Sequence, residues 1–387
     1  NTDQGPDFSG AVVMVDGLRW VGAVELHLKT GDWLKHRHQH DPNYGSVILH
    51  VVWQHDTRVN DLPVIELGER VSGLLLEQYG RLMRKTAFIP CNADNSHLGY
   101  LAWMGWKDRL LFERLGRKSE MIKSFNRSNG NNWEESCWWL LARNFGYKVN
   151  ADAFEMIARS IPVRVMARIR HSLTRLTALL LGQAGLLEAK AREPAARLLQ
   201  LEYHLLKARY GLQPVLPRVQ FLRMRPRNFP AVRLAQLAAL LHRQGDLHEW
   251  ILTTSSLKEM KMKFRGRPAA VRTGNKRQPK NSLFRAAPIG DFMVRSLVIN
   301  TVVPVLFFYS ELLSDETLGH RAIDWLRQLE RENNSITDTL ERIGFLQQNA
   351  FDSQAMLELK TRYCDQRKCL ECAVGYSILN PRHPSRL

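Results

Sequence analysis

Cysteine is scarce in this chain, five among 387 residues, which excludes a small domain stapled by disulfides. Long apolar runs are scarce too. No stretch reaches the ~20 unbroken apolar residues that cross a bilayer as a helix. The nearest, SLVINTVVPVLFFYSELL at 296–313, is interrupted by Asn300, Pro304 and Glu311 and reads as a core segment. No charged-then-apolar leader is visible, and the cysteine usage fits a reducing, cytoplasmic compartment. Acidic residues fall short of basic ones, 38 against 55, for a formal net charge of +17. The shortfall is local: residues 151–290 hold 26 Lys and Arg against 8 Asp and Glu. Such a surplus points to a polyanionic partner, with nucleic acid the leading expectation and an anionic membrane surface the other.

What is present is ordinary globular material, 44% hydrophobic and 24% charged, long enough for two or three domains. Residues 11–16 and 20–28 read as strands joined by an Asp16-Gly17 turn, hence a hairpin. Residues 46–53 are β-branched and apolar, a more central strand, and 63–67 a short fourth. The polar, His-rich 31–44 reads as a short helix or loop. From about residue 68 the apolar spacing becomes helical. The expected fold class is therefore α+β, a small mixed sheet followed by a large, mainly helical region. Its expected divisions are a core at 1–67, a basic helical region at 68–260, a basic flexible loop at 261–290, C-terminal helices at 291–380 and a disordered tail at 381–387. Residues 261–285 carry nine cations and no acid.

Four constellations could carry chemistry. On the second strand Glu25, His27 and Lys29 alternate, so they share a face. If Asp7 lies beside them, two carboxylates can hold Mg²⁺ or Mn²⁺ while Lys or His steadies developing charge. The second is DWLKHRHQHD, with His36, His38, His40 and Asp41. His36 and His40 are four apart, so a helix would put both on one face, where either could join His27 and Glu25 on a transition metal. The third is Cys364, Cys369 and Cys372, spaced C-x₄-C-x₂-C, with Cys91 the natural fourth ligand for Zn²⁺ or a [4Fe–4S] cluster. The fourth is FLRMRPRNFPAVR, where Arg223, Arg225, Arg227, Asn228 and Arg233 surround Phe229 and could grip a nucleic-acid backbone. Cys137, Trp103, Trp106, Trp138 and Trp139 fall at helical spacings and read as core.

Pro6-Asp7 followed by Glu25-Leu26-His27 on a hairpin resembles the signature of the PD-(D/E)XK, restriction-endonuclease-like nucleases. That resemblance implies phosphodiester hydrolysis with Mg²⁺ at Asp7 and Glu25. The departure is His27, which stands where that signature has Lys, with Lys29 one step further on. A decayed, non-catalytic nucleic-acid adaptor and a metalloenzyme built on Glu25, His27 and His36–His40 are the alternatives. Along the chain, NTDQGPDFSGA, GAVELH, DWLKHRHQHDPNYGSVILHVVW, LLARNFGYKVNADAFEMIA, GQAGLL, RMRPRNFP, INTVVP and FDSQAMLELKTRYCDQRKCLECAVG occur in order. In these the chain resembles the bacterial domain-of-unknown-function family 2851. The resemblance implies kinship without an activity, and a further N-terminal stretch ahead of the first residue.

Overall fold

The computed structural model describes residues 5–59, 62–91, 98–187, 193–213, 215, 219–221, 228–266 and 288–380. The chain divides into two compact units, one of Asn1–Asn92 with Val374–His383, the other of Ala93–Ala373 with Pro384–Leu387. The architecture is α+β.

The first unit holds a four-stranded sheet in the order β1-β2-β3-β4, from Phe8–Val15, Leu18–Lys29, Val47–Gln54 and Val64–Glu66. Asp16 and Gly17 both take positive φ, 49° and 78°. That is the two-residue hairpin geometry Asp-Gly favours, and β1 pairs antiparallel with β2. β2 and β3 are parallel, as are β3 and β4, so residues 30–46 must cross over the sheet. They do so as a four-residue helix α1 (Asp32–Lys35) and two 3₁₀ turns (His38–His40, Pro42–Tyr44). Arg37, at φ 61°, breaks the helix. The helix imagined to carry His36 and His40 together therefore does not form. Helix α2 (Gly73–Arg84) follows.

The second unit is helical. α3 (Tyr100–Ser128) is followed by α4 (Trp133–Phe145), whose N-cap Asn132 accepts from the Glu135 N–H. Next come α5 (Tyr147–Arg159) and α6 (Val163–Ile169). The chain leaves the helix between them before Pro162, because the residue ahead of a proline is pushed out of the helical region. Helices α7 (Leu173–Gln183), α8 (Pro194–Tyr210), α9 (Pro230–Arg243), α10 (Leu247–Thr253) and α11 (Leu257–Arg265) complete its first half. Cys137, Trp106, Trp138 and Trp139 are buried, as their spacing predicts.

The most apolar segment, Asp291–Leu313, is one long helix, and 83% of its most apolar 18-residue window is buried inside the fold. It comprises α12 (Asp291–Leu297), a π turn (Val298–Val302) and α13 (Val303–Leu313). The π turn has a chemical cause. Pro304 has no N–H to give the Asn300 carbonyl four residues back. The Asn144 side-chain amide donates to that carbonyl instead, at 2.8 Å. Helices α14 (Glu316–Gln328), α15 (Ser335–Arg342) and α16 (Ala350–Glu358) follow, then a second π turn (Leu359–Cys364) and α17 (Ala373–Leu379). α3 and α16 are joined by buried charge. Lys107 Nζ donates to Asp352 at 2.7 Å, Arg114 Nε to Gln354 at 2.7 Å, and Arg117 makes a two-pronged pair with Glu358.

Candidate metal centre

Three ionisable groups on one face of β2 would be costly to bury singly. The crossover resolves this by folding over that face and bringing more polar groups to it. Glu25 and His27 keep only 8% and 6% of their side chains exposed. Trp33, from α1, is buried edge-on to His27 and His38. His38 stacks on Tyr44 with centroids 3.7 Å apart. The left-handed turn at Arg37 sends His38 inward beside His36 and leaves His40 exposed.

The donors converge. His27 Nε2 lies 3.1 Å from His36 Nδ1. Glu25 Oε1 lies 3.7 Å from His27 Nε2 and 3.5 Å from His38 Nε2. One ligand atom each from His27, His36 and His38 falls within 4.8 Å of the others. Donors at bonds of about 2.0–2.1 Å around a tetrahedral ion are separated by roughly 3.3–3.4 Å, so the three imidazoles suit one cation in their midst, with Glu25 beside His27 and His38. Another observation agrees: His38 Nε2 is buried and finds no hydrogen-bond partner among the described residues. A set rich in imidazole suits zinc, iron, nickel or copper better than Mg²⁺, which prefers oxygen.

Electrostatics favour the imidazoles in their ligating form. Burial, then the neighbouring His50, His36 and His38, pulls His27 down to about 4. Burial also lowers His38 and His50, so these rings are neutral, with lone pairs available, at pH 7. Burial raises the Glu25 carboxyl above its usual range, opposed by a hydrogen bond from the Asp7 backbone N–H to Oε2 at 3.0 Å. Asp7 in turn accepts the Leu26 N–H at 2.9 Å. Asp7 and Glu25 thus brace each other across the hairpin.

His50 was not legible as a site residue. It pairs in register with Glu25 on β3, is fully buried, and its Nε2 lies 2.8 Å from His27 Nδ1. The ring partner fixes the orientation of His27, as hydrogen-bonded groups behind metal ligands commonly do. The signal was one ionisable residue in the apolar run VILHVVW. Trp33 and Tyr44 were also missed.

The remaining candidates fall elsewhere. Lys29 is exposed and gives its backbone N–H to Asp32. Asp41 accepts the Asn43 N–H, shaping the loop. Arg223, Arg225 and Arg227 lie outside the described residues, as do most of the 261–290 stretch and the tail. Asn228 and Arg233 bond to each other at 2.7 Å, and Arg233 also donates to Gln236. This pairing occupies the start of α9. Cys91 is half-buried in the first unit; Cys364 ends the second π turn, and Cys369 and Cys372 are buried in the turns before α17.

Comparison with curated proteins and with solved structures finds no match. A family model described as "Protein of unknown function (DUF2851)" matches residues 1–335, and the chain belongs to that family.

Proposed function

We propose that this DUF2851 member is a metal-dependent phosphodiesterase whose centre lies on the β2–β3 face, with nucleic acid as its substrate class. The observation that carries the reading is the convergence of His27, His36 and His38, their ligand atoms within 4.8 Å of one another, with Glu25 beside two of them and His38 Nε2 otherwise orphaned. A bound divalent transition metal would supply a polarised water and charge stabilisation at phosphorus. The chain supplies the rest. His27, His36 and His38 would hold the ion with Glu25 beside them, while His50 orients His27, the Asp7 N–H positions Glu25, and Trp33 keeps one side dry. In the overall reaction water adds to phosphorus, one ester P–O bond breaks, and the departing oxygen ends protonated. The hairpin likeness to PD-(D/E)XK nucleases and the basic surplus at 151–290 favour a nucleic-acid phosphodiester over other esters. The Mg²⁺ reading at Asp7 and Glu25 is less well supported, because Asp7 is engaged with the Leu26 backbone and Lys29 is exposed.

The test is cleavage of labelled single- and double-stranded DNA and RNA by metal-stripped and reloaded full chain. Activity that returns with a transition metal and disappears in Glu25→Ala and His38→Ala supports the reading. Salt-sensitive binding with no cleavage under any metal would replace it with the adaptor role.

Separately, the spacing of Cys364, Cys369 and Cys372, and the burial of the latter two, favour a thiolate-bound zinc or iron–sulfur cluster. Iron and acid-labile sulfide in anaerobically prepared protein would identify the cluster; zinc alone would identify the ion; neither would remove the proposal.

A further inference from the structure

We propose that the helical unit binds a small hydroxylated metabolite carrying an oxyanion, phosphate or carboxylate, in a polar cavity between α3, α4, α5 and the two π turns. The cavity is about 330 Å³, at the lower end of small-molecule pockets and larger than a bare ion requires. Arg114 and Lys148 stand in its wall with Asn144, Asn300, Asn334 and Thr361.

The charge there is unbalanced. Glu358 is already taken by the two-pronged pair with Arg117. Arg114 gives its Nε to Gln354, and its NH1 forms an ion pair at 3.7 Å with the same Glu358 carboxylate, so two guanidinium groups share one acid. Lys148 makes no ion pair among the described residues. Glu332, the one acid in the wall among the described residues, accepts from neutral amides, Gln354 Nε2 at 2.7 Å and Asn334 Nδ2 at 3.4 Å. Behind Asn300, Lys118 Nζ donates to the Asn300 side chain at 2.9 Å. Burial, then Arg114 and Arg117 close by, pulls Lys118 down to about 7 against the opposing pull of Glu332 and Glu358, so cations outnumber acids here.

The backbone is irregular at the same place. Each π turn contributes a wall residue, Asn300 from one and Thr361 from the other. Tyr147, also in the wall, holds φ 53°, a strained conformation for a bulky side chain. π turns and strained residues concentrate where ligands bind. Planar guanidinium and ammonium donors select an oxyanion, while the neighbouring amides and hydroxyls suit a ligand with hydroxyl groups of its own.

The experiment is calorimetry and thermal shift on the full chain with glucose 6-phosphate, citrate and inorganic phosphate as probes. Saturable binding of at least one is expected. Glucose 6-phosphate over citrate would identify phosphate as the recognised group, and the reverse a carboxylate. Lys148→Ala, at an exposed position that folding tolerates, should weaken it by about tenfold or more, the scale of a charge-assisted hydrogen bond. Arg114→Gln should weaken it further, and Glu25→Ala should leave it unchanged, which separates this site from the metal centre. No saturable binding of any probe at millimolar concentration, or binding indifferent to Lys148→Ala, overturns the proposal.

Discussion

Both units bury ionisable side chains, but they treat them differently. In the helical unit two cations of the α3–α16 seam each meet an acid. Lys107 has Asp352, and Arg117 has Glu358. In the sheet unit the buried groups are crowded with their own kind: His27 faces His50 and His36, and His38 Nε2 has no hydrogen bond among the described residues. A matched buried pair holds helices together and is costly to split. An unmatched cluster of bases is costly as it stands, and persists where something else completes it. The contrast separates a structural network from a binding site without any appeal to sequence kinship.

Substitutions can break that contrast. Replacing His27 and His38 together by alanine should abolish metal retention and lower phosphodiester cleavage by about a hundredfold or more, a loss typical when preorganised charge stabilisation goes. The same double variant should unfold at denaturant concentrations close to those of the metal-free parent. Asp352→Ala should do the reverse. It strands the buried Lys107 and should lower stability by about 3–5 kcal/mol, measured by urea denaturation, with metal content unaltered. An unfolding midpoint that moves equally for both would erase the distinction.

A smaller effect tests packing in the helical unit alone. A Cβ added at Gly182 would lie 2.2 Å from the Tyr203 ring, so Gly182→Ala should cost about 1–3 kcal/mol by overpacking α7 against α8, read from the same denaturation curves. Smaller still is a pH effect at Lys118. Its folded value of about 7 lies below the ordinary lysine value of 10.5, so between those values the unfolded chain binds more protons. Stability from this group therefore rises with pH from about 7 to about 10.5 and is lost as pH falls back through that window. The difference in stability between the parent chain and Lys118→Met should shift in favour of the parent as pH rises through the window; a difference independent of pH would contradict the assignment.

The elements of the sheet were legible because each has a local cause. Asp16-Gly17 dictates the hairpin, and β-branched runs mark β3. The helices of the second unit were legible from their period. What escaped was decided by tertiary geometry. Nothing local in LKHRHQH says that Arg37 turns left-handed, so pairing His36 with His40 was the natural helical reading, and the fold chose His36 with His38. His50 escaped because a single histidine in an apolar strand looks like any buried residue until the register places it beside Glu25. The π turn at Val298–Val302 could have been suspected from Pro304, but its partner Asn144 lies far away in sequence.

The central claim is that the histidine cluster holds a transition metal. The most direct measurement is the metal content of purified full chain by mass spectrometry, compared with the His27→Ala/His38→Ala variant and with a variant lacking Cys364, Cys369 and Cys372. The account predicts a transition metal that survives loss of the three cysteines and disappears with the two histidines. Metal content unchanged by the histidine substitutions, in a variant that remains folded, would contradict it.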